Sequence, residues 1–583
     1  MNLQVKTKLQ FLIPVFLLLF ISTVNAQWSA DPNINTPVGV AAGEQVLPKI
    51  AALPDGGCYI SWFDSRSGSY GVYVQRLNAL GVPQFTANGL LVSSNPQNTS
   101  LVDYDMIADD SSNCIIAFTD TRGGGQINPY IYKISPAGTF VWGANGISLN
   151  SQTTIYQANP KLAKCTDNSI WVTWIYTSTP RVAKYQRIGP GGVKQFAADG
   201  LSISGTGAEI IDFPNVIGSD NGSVIMMFIG YTGSFISPAN YRIYTQKFSS
   251  TGTSLWHPTY DTVYALGNGS GFNPPFIYSD GNNGALYCWN DSRPGTSSTS
   301  YVQRFNSAGT RLFPLNGSAG NTTPGMIRNT AQACFNTTTG ETFLFWKEAN
   351  SGQTQFSLVG QRFNAAGERQ WTDAGLTVIP MGPGSFTTLA TQAVDTNGIL
   401  YINDAVFGGT DNIIKAAKFN RNGTIAWNSG ALKIISPTTG AKSRIDARIN
   451  VNKMSIVVWS DSRNGSPDIY AQNINNNGTL GGPSGVHQIS TEAPDAFALK
   501  QNYPNPFNPT TNIVYSLKAN SIVTLKVFNM LGKEVSSMNF GTQSAGSYSY
   551  TLDAGKLNLS SGIYYYSIQA GDFKDTKKMM LVK

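Results

Sequence analysis

The stretch that decides the fold runs Asp55-Gly56-Gly57-Cys58-Tyr59-Ile60-Ser61-Trp62-Phe63-Asp64-Ser65-Arg66, then, after a Gly/Ser turn, Val72-Tyr73-Val74-Gln75-Arg76-Leu77-Asn78 and Gly81. Cys58, Ile60 and Trp62 alternate with more polar neighbours, which puts them on one face of a β-strand. Turn residues precede and follow each run, as strands joined by tight connections require. The preceding run Pro48-Lys49-Ile50-Ala51-Ala52 and the following Gly89-Leu90-Leu91-Val92 supply two more short strands.

The same block returns along the chain. Gln75-Arg76-Leu77-Asn78 is repeated as Gln186-Arg187-Ile188, Gln246-Lys247-Phe248, Gln303-Arg304-Phe305-Asn306, Gln361-Arg362-Phe363-Asn364 and Gln472-Asn473-Ile474-Asn475, with weaker copies at Tyr132-Lys133-Ile134 and Ala417-Lys418-Phe419-Asn420. The glycines that close the blocks (81, 138, 192, 252, 309, 367, 423 and 478) are spaced by 57, 54, 60, 57, 58, 56 and 55 residues. Four residues after each of the first seven stands an aromatic: Phe85, Trp142, Phe196, Trp256, Phe313, Trp371 and Trp427. Units of four short strands at so even a period indicate an all-β fold, a β-propeller, over residues 27–490.

The eighth unit has no aromatic four residues after Gly478, yet Trp28 stands near the N-terminus, where the missing ring falls if the units form a circle. The N-terminal strand is thus expected to complete the last blade and remove its free edge. Val486–Ser490 also reads as a strand and competes for that place. Eight blades is the first reading, and seven plus one irregular unit the alternative.

Several units end their second strand with an aromatic, an acid and an arginine: Trp62-Asp64-Arg66, Phe118-Asp120-Arg122, Trp289-Asp291-Arg293 and Trp459-Asp461-Arg463; Trp346-Glu348 keeps the acid alone. Residues two apart at a strand end point the same way, so the pairs read as repeated structural clamps. A ring of carboxylates for a cation or glycan is the competing reading. Repetition favours the clamp, because catalysis needs acids in unlike environments. The fourth unit has the longest loop at this place, with Tyr231, Phe235 and Tyr241 as candidate ligand-stacking residues or local core. With its D-G-x-x-x-x-x-W-x-D-x-R pattern and Ile469-Tyr470-Ala471-Gln472, this region resembles the WD-repeat-like and Tol-type propellers of exported bacterial proteins. That resemblance implies fold and leaves function open.

Composition sets limits. Only 13% of the 583 residues are charged, against the usual ~25%, while 41% are hydrophobic and 59 are glycine, which excludes intrinsic disorder and long amphipathic helices. Two histidines, His257 and His487, in unrelated contexts argue against a histidine triad or a multi-histidine zinc site, and neither metal nor cofactor is expected. Residues 1–26 combine Lys6 and Lys8, an apolar run from Phe11 to Val24 and Val24-Asn25-Ala26, the pattern of a cleaved signal peptide. The run is too short to span a bilayer, and no later segment is expected to. The five cysteines include no C-x-x-C and read as small core hydrophobes. The net charge of +7 divides into +2 before residue 27, zero over 27–496 and +5 over 497–583, so the propeller is neutral and no nucleic-acid partner is expected.

After Ser490 the pattern changes. Residues 491–510 read as a linker, with three prolines in Tyr503-Pro504-Asn505-Pro506-Phe507-Asn508-Pro509, and 511–583 as a small immunoglobulin-like β-sandwich. Tyr503-Pro504-Asn505-Pro506-Phe507, Val527-Phe528-Asn529-Met530-Leu531-Gly532-Lys533, Leu559-Ser560-Ser561-Gly562-Ile563-Tyr564 and the closing Lys577-Lys578-Met579-Met580-Leu581-Val582-Lys583 resemble the type A C-terminal sorting domain of the type IX secretion system. The resemblance implies that this machinery is a partner, that the protein is secreted or held on the outer surface of a Gram-negative cell of the Bacteroidota type, and that Tyr503, Pro504, Pro506, Phe507, Gly532, Gly562, Tyr564, Lys577 and Lys578 belong to the sorting signal. The expected function is a non-enzymatic exported propeller that binds a glycan or a protein. The alternative is a polysaccharide hydrolase or lyase with a carboxylate pair among Asp64, Asp120, Asp291, Glu348 and Asp461.

Overall fold

The computed structural model describes residues 28–582 apart from 98–101, 268, 270–272, 294–296, 407–408, 482–485, 491, 544, 556 and 558. The expected signal peptide lies outside the described residues. The described chain is all-β and forms ten four-stranded sheets, every strand pair antiparallel.

The first sheet is laid down in sequence order as Gln45–Ala52, Cys58–Asp64, Tyr70–Leu77 and Leu90–Gln97. Six more follow the same plan, with first strands Asp105–Ala108, Gln157–Lys164, Ile210–Gly218, Phe276–Ser279, Ile327–Asn336 and Gly384–Val394. The eighth takes three strands from the chain, Lys442–Ile449, Ser455–Asn464 and Ser466–Ile474, and a fourth from the N-terminus, Thr36–Gly39, which sets Thr36 opposite Ala471. Each first strand touches the first strand of the next sheet, and Lys442–Ile449 touches Gln45–Ala52. The eight first strands therefore form a closed circuit, and a propeller-like arrangement follows.

Neighbouring sheets are joined by the aromatics and glycines of the repeat. Each aromatic lies against the closing glycine of the following unit, as Trp142 does on Gly192 and Trp427 on Gly478. Gly192 has φ +86°, and a Cβ there would stand 2.7 Å from the Trp142 ring, so both handedness and space require glycine. The indole N–H groups of Trp256, Trp371 and Trp427 each donate to the carbonyl two residues before the glycine, at 3.0 Å. Trp28 repeats the arrangement on Gly81, donating to Ala79 O at 3.1 Å. Where a unit keeps the repeated glutamine, that side chain holds the aromatic's backbone from behind: Gln75 donates to Thr86 O and accepts from Phe85 N–H, and Gln472 makes the first of these bonds to Ser29 O across the chain ends.

Val486–Ser490 does not join the eighth sheet. Thr36–Gly39 already occupies that edge, and Val486–Ser490 pairs instead with Gly546–Asp553 in a ninth sheet that also holds Thr510–Leu517 and Ala498–Leu499. The tenth sheet is Glu534–Gln543, Ser521–Asn529, Gly562–Ala570 and Phe573–Leu581. These two sheets share one apolar core, including Val486, Leu499, Phe507, Leu525 and Tyr566. Val486–Ser490, expected within the repeat region, therefore pairs with the C-terminal sheets, and Leu499 and Phe507, from the segment expected as a linker, are buried in their shared core. All five cysteines are buried and free, and burial raises the thiols of Cys165, Cys288 and Cys334 to about 12.

Candidate functional site

The aromatic-acid-arginine loops are closed units. Asp64 accepts from Trp62 Nε1 at 2.9 Å, from Arg66 N–H at 3.0 Å and from the Arg66 guanidinium at 2.5–2.9 Å. The same guanidinium donates to Asn88 O and lies 4.0 Å from the centre of the Tyr73 ring. Asp120 and Arg122 repeat this with Tyr130 beneath the guanidinium at 3.9 Å, Asp461 and Arg463 with Tyr470 at 3.9 Å, and Asp291 and Arg293 with Tyr301 at 3.6 Å. Glu348, whose loop lacks the arginine, takes Arg328 from its neighbouring strand at 2.7 Å and Trp346 Nε1 at 3.2 Å. Burial raises Asp291 to about 6, against the pull of Arg293. These five acids sit in five different sheets, each committed to its own cation and turn.

Two of the three aromatics on the long fourth loop point inward. Tyr231 and Tyr241 are each 2% exposed; Tyr231 Oη donates to Asp212, and Tyr241 packs on Gly269 and Tyr264. Both rings sit on strands Val224–Gly233 and Pro238–Phe248, whose apolar side faces the next sheet, so neither offers a stacking surface. Phe235 is half-buried against Phe213.

The eight first strands instead enclose a central channel of about 840 Å³. Its wall is built from one register position per sheet, the residue opposite Ser61 in the first sheet and its equivalents elsewhere. On one side that position is Asp446, Lys49, Asp105 and Lys161; on the other it is Asn215, Phe276, Gln332 and Ala390. Just before it, five strands carry a bulge with a non-glycine residue at positive φ: Leu47, Asn159, Phe213, Thr330 and Arg444, at +46° to +58°. Such strain is sustained only by the surrounding packing and gathers at functional sites.

The charged side is a network. Asp103 bridges Lys49 at 2.8 Å and Lys161 at 2.5 Å. Burial pushes the Asp103 carboxyl up, but Lys161 and Lys49 outweigh it and hold it below the usual range. Asp105, two residues on, is raised by burial, and its oxygens accept from Met106 and Leu162 N–H at 2.9 Å. Asp446 makes the matching bonds to Ala447 and Ile50 N–H and pairs with Arg448 at 2.6 Å. On the neutral side Phe276 and Tyr278 are stacked and half-buried, and Tyr278 Oη donates to Gln332 at 3.0 Å. None of these residues stands out in a reading of single motifs. The signal that finds them is positional: Pro48-Lys49, Pro160-Lys161 and Pro214-Asn215 recur at the same place in their units.

The residues of the expected sorting signal are spread over the sandwich. Phe507 N–H donates to Met580 O, pinning the proline-rich opening to the last strand, while Tyr503 is exposed. Pro504 O accepts from Thr511, and Pro506 precedes the buried Phe507. Gly532 at φ +74° makes the turn after Asn529; Gly562 begins its strand; Tyr564 donates to Ser560 O; Lys577 faces Asp575, and the Lys578 carbonyl accepts from Gln501. Among the described residues no helix is long and apolar enough to cross a membrane.

A family profile, the secretion system C-terminal sorting domain, matches residues 501–583. The chain is therefore cargo of a type IX secretion system, secreted or placed on the outer cell surface of a Gram-negative bacterium of the Bacteroidota type. A comparison with curated proteins gives no match. Among solved structures, an ulvan lyase, a polysaccharide lyase, is similar at 11% identity over 68% of this chain and 97% of that one, with a TM-score of 0.41. A protein of unknown function from Dyadobacter fermentans is similar at 11% identity over 55% and 94%, with a TM-score of 0.33. An α-L-arabinanase of Penicillium chrysogenum follows at 13% over 54% and 92%, with a TM-score of 0.30.

Proposed function

We propose that the exported chain is an eight-bladed β-propeller with an immunoglobulin-like sorting sandwich, and that the propeller binds a glycan in its central channel without turning it over. The observation that carries this is the neutral half of the channel wall. There the stacked Phe276 and Tyr278 stand beside the amides of Asn215 and Gln332, an apolar face with adjacent hydrogen-bonding groups, in a space of the size small ligands occupy. The charged half is already satisfied by Lys49, Asp103, Lys161, Asp446 and Arg448 and would contribute shape and polarity. The clamp acids are unsuited to catalysis, because each is bound to its own arginine.

One feature favours the hydrolase or lyase alternative. Asp103 and Asp105 are neighbours in the channel whose carboxyls are shifted in opposite directions, the relation an acid and a base require. Against it, both Asp105 oxygens fasten backbone N–H groups of two sheets, as Asp446 does at the equivalent place.

A glycan array probed with the purified chain tests the proposal. Binding that is lost in Asn215→Ala/Gln332→Ala and kept in Tyr231→Phe supports the channel. A blank array, or binding untouched by the channel variant, overturns it. Release of new reducing or unsaturated ends by the wild type, abolished in Asp105→Asn, would establish the enzymatic reading instead.

A further inference from the structure

The turns that carry the closing glycines are alike in seven units and different in the first. In those seven the glycine is flanked by small or polar residues on both sides, Val193 excepted, and the flanking residues are exposed, Val193 at 66%. In the first unit they are Leu80 and Val82, and they are 2% and 8% exposed. Their surroundings explain the difference: both belong to the apolar cluster formed by the interior of the C-terminal sandwich, with Val486, Leu499 and Phe507 among its members.

The chain path leads to the same turn. The propeller ends at Gly481, whose Cα lies beside Ala30, and the sandwich begins at Val486. Five residue steps reach at most about 18 Å, so the sandwich is tethered next to the N-terminal segment. That segment in turn braces the first-unit turn: Trp28 N–H donates to Leu80 O at 2.9 Å, its indole N–H donates to Ala79 O, and its ring covers Gly81.

We propose that the Leu80-Gly81-Val82 turn is a dedicated docking surface for the chain's own sorting sandwich, and that it is complete only when the N-terminal segment has closed the ring. The two aliphatic side chains are the recognition element, and Trp28 holds the backbone that presents them. A propeller whose ends have not met lacks the brace and therefore the seat for its export module. This coupling does not depend on what the channel binds.

Small-angle scattering and hydrogen exchange on the full chain test it. The wild type is expected to scatter as one rigid particle with slow exchange over residues 78–84. Leu80→Ser/Val82→Ser is expected to increase the radius of gyration and to speed exchange in that turn roughly tenfold or more, with the melting of the tryptophan-rich propeller unchanged. Unchanged scattering and exchange in the variant would overturn the proposal. Should the variant fail to fold, the wild type still decides: two modules tumbling independently would refute docking, and a rigid particle with a protected turn would uphold it.

Discussion

At the scale of single residues, the same side chains do different amounts of work according to what closes around them. Trp28 is buried, stacked on Gly81 and hydrogen-bonded to the Ala79 carbonyl, so Trp28→Ala is expected to cost ~3–5 kcal/mol, the range for a buried aromatic, read from denaturant unfolding. Asp291 has a second signature. Burial raises its carboxyl to about 6, so the folded state binds its proton more tightly than the unfolded chain does. The sign follows from linkage: this contribution to stability is complete below about pH 4 and is lost as pH rises through about 6. The stability of the wild type relative to Asp291→Asn is therefore expected to fall between pH 4 and pH 6 and to level off above, and a flat difference across that window would contradict it. The clamp partners were legible in the sequence, because acid and arginine stand two apart at a strand end. The inward turn of Tyr231 and Tyr241 was not, because an aromatic on a long loop reads the same whether it faces solvent or the next sheet.

At the scale of elements, the closing turns are where sequence dictates shape most tightly. Gly192 and Gly423 both have positive φ, yet a Cβ on Gly192 would meet Trp142 at 2.7 Å, whereas on Gly423 the nearest atoms are 3.4 Å away. Gly192→Ala is thus expected to lose ~1–3 kcal/mol more than Gly423→Ala in parallel thermal melts, the usual cost of overpacking added to a shared backbone strain. The strands themselves were readable from alternation and turn residues. The channel wall was less so: in six units a bulge in the first strand shifts the register, so that the residue after the bulge, not the one the alternation indicates, reaches the channel. Val486–Ser490 has the sequence of a strand, but nothing in it tells which sheet it joins, and it pairs with Gly546–Asp553. Pairing partners are decided by which edge is free, and that edge is taken by residues some 450 positions earlier in the chain.

At the scale of the whole molecule, closure of the ring by the N-terminal strand is the feature on which the channel and the docking turn both rest. Gln472 to Ser29 and Arg463 to Asn35 join the two ends of the repeat region, and Trp28 on Gly81 ties the same N-terminal segment to the first unit. The net charge is unevenly placed along the chain, +2 over residues 1–26, zero over 27–496 and +5 over 497–583, so most of the excess lies outside the repeats. The most direct measurement is disulfide trapping in the full chain, comparing Thr36→Cys/Ala471→Cys with Gln488→Cys/Ala471→Cys under mild oxidation. Thr36 and Ala471 face each other across the last strand pair of the eighth sheet, at the separation of directly opposed residues. A closed ring gives an intramolecular bond in the first pair, with a raised melting temperature, and none in the second. Cross-linking of the second pair with free thiols in the first would contradict it.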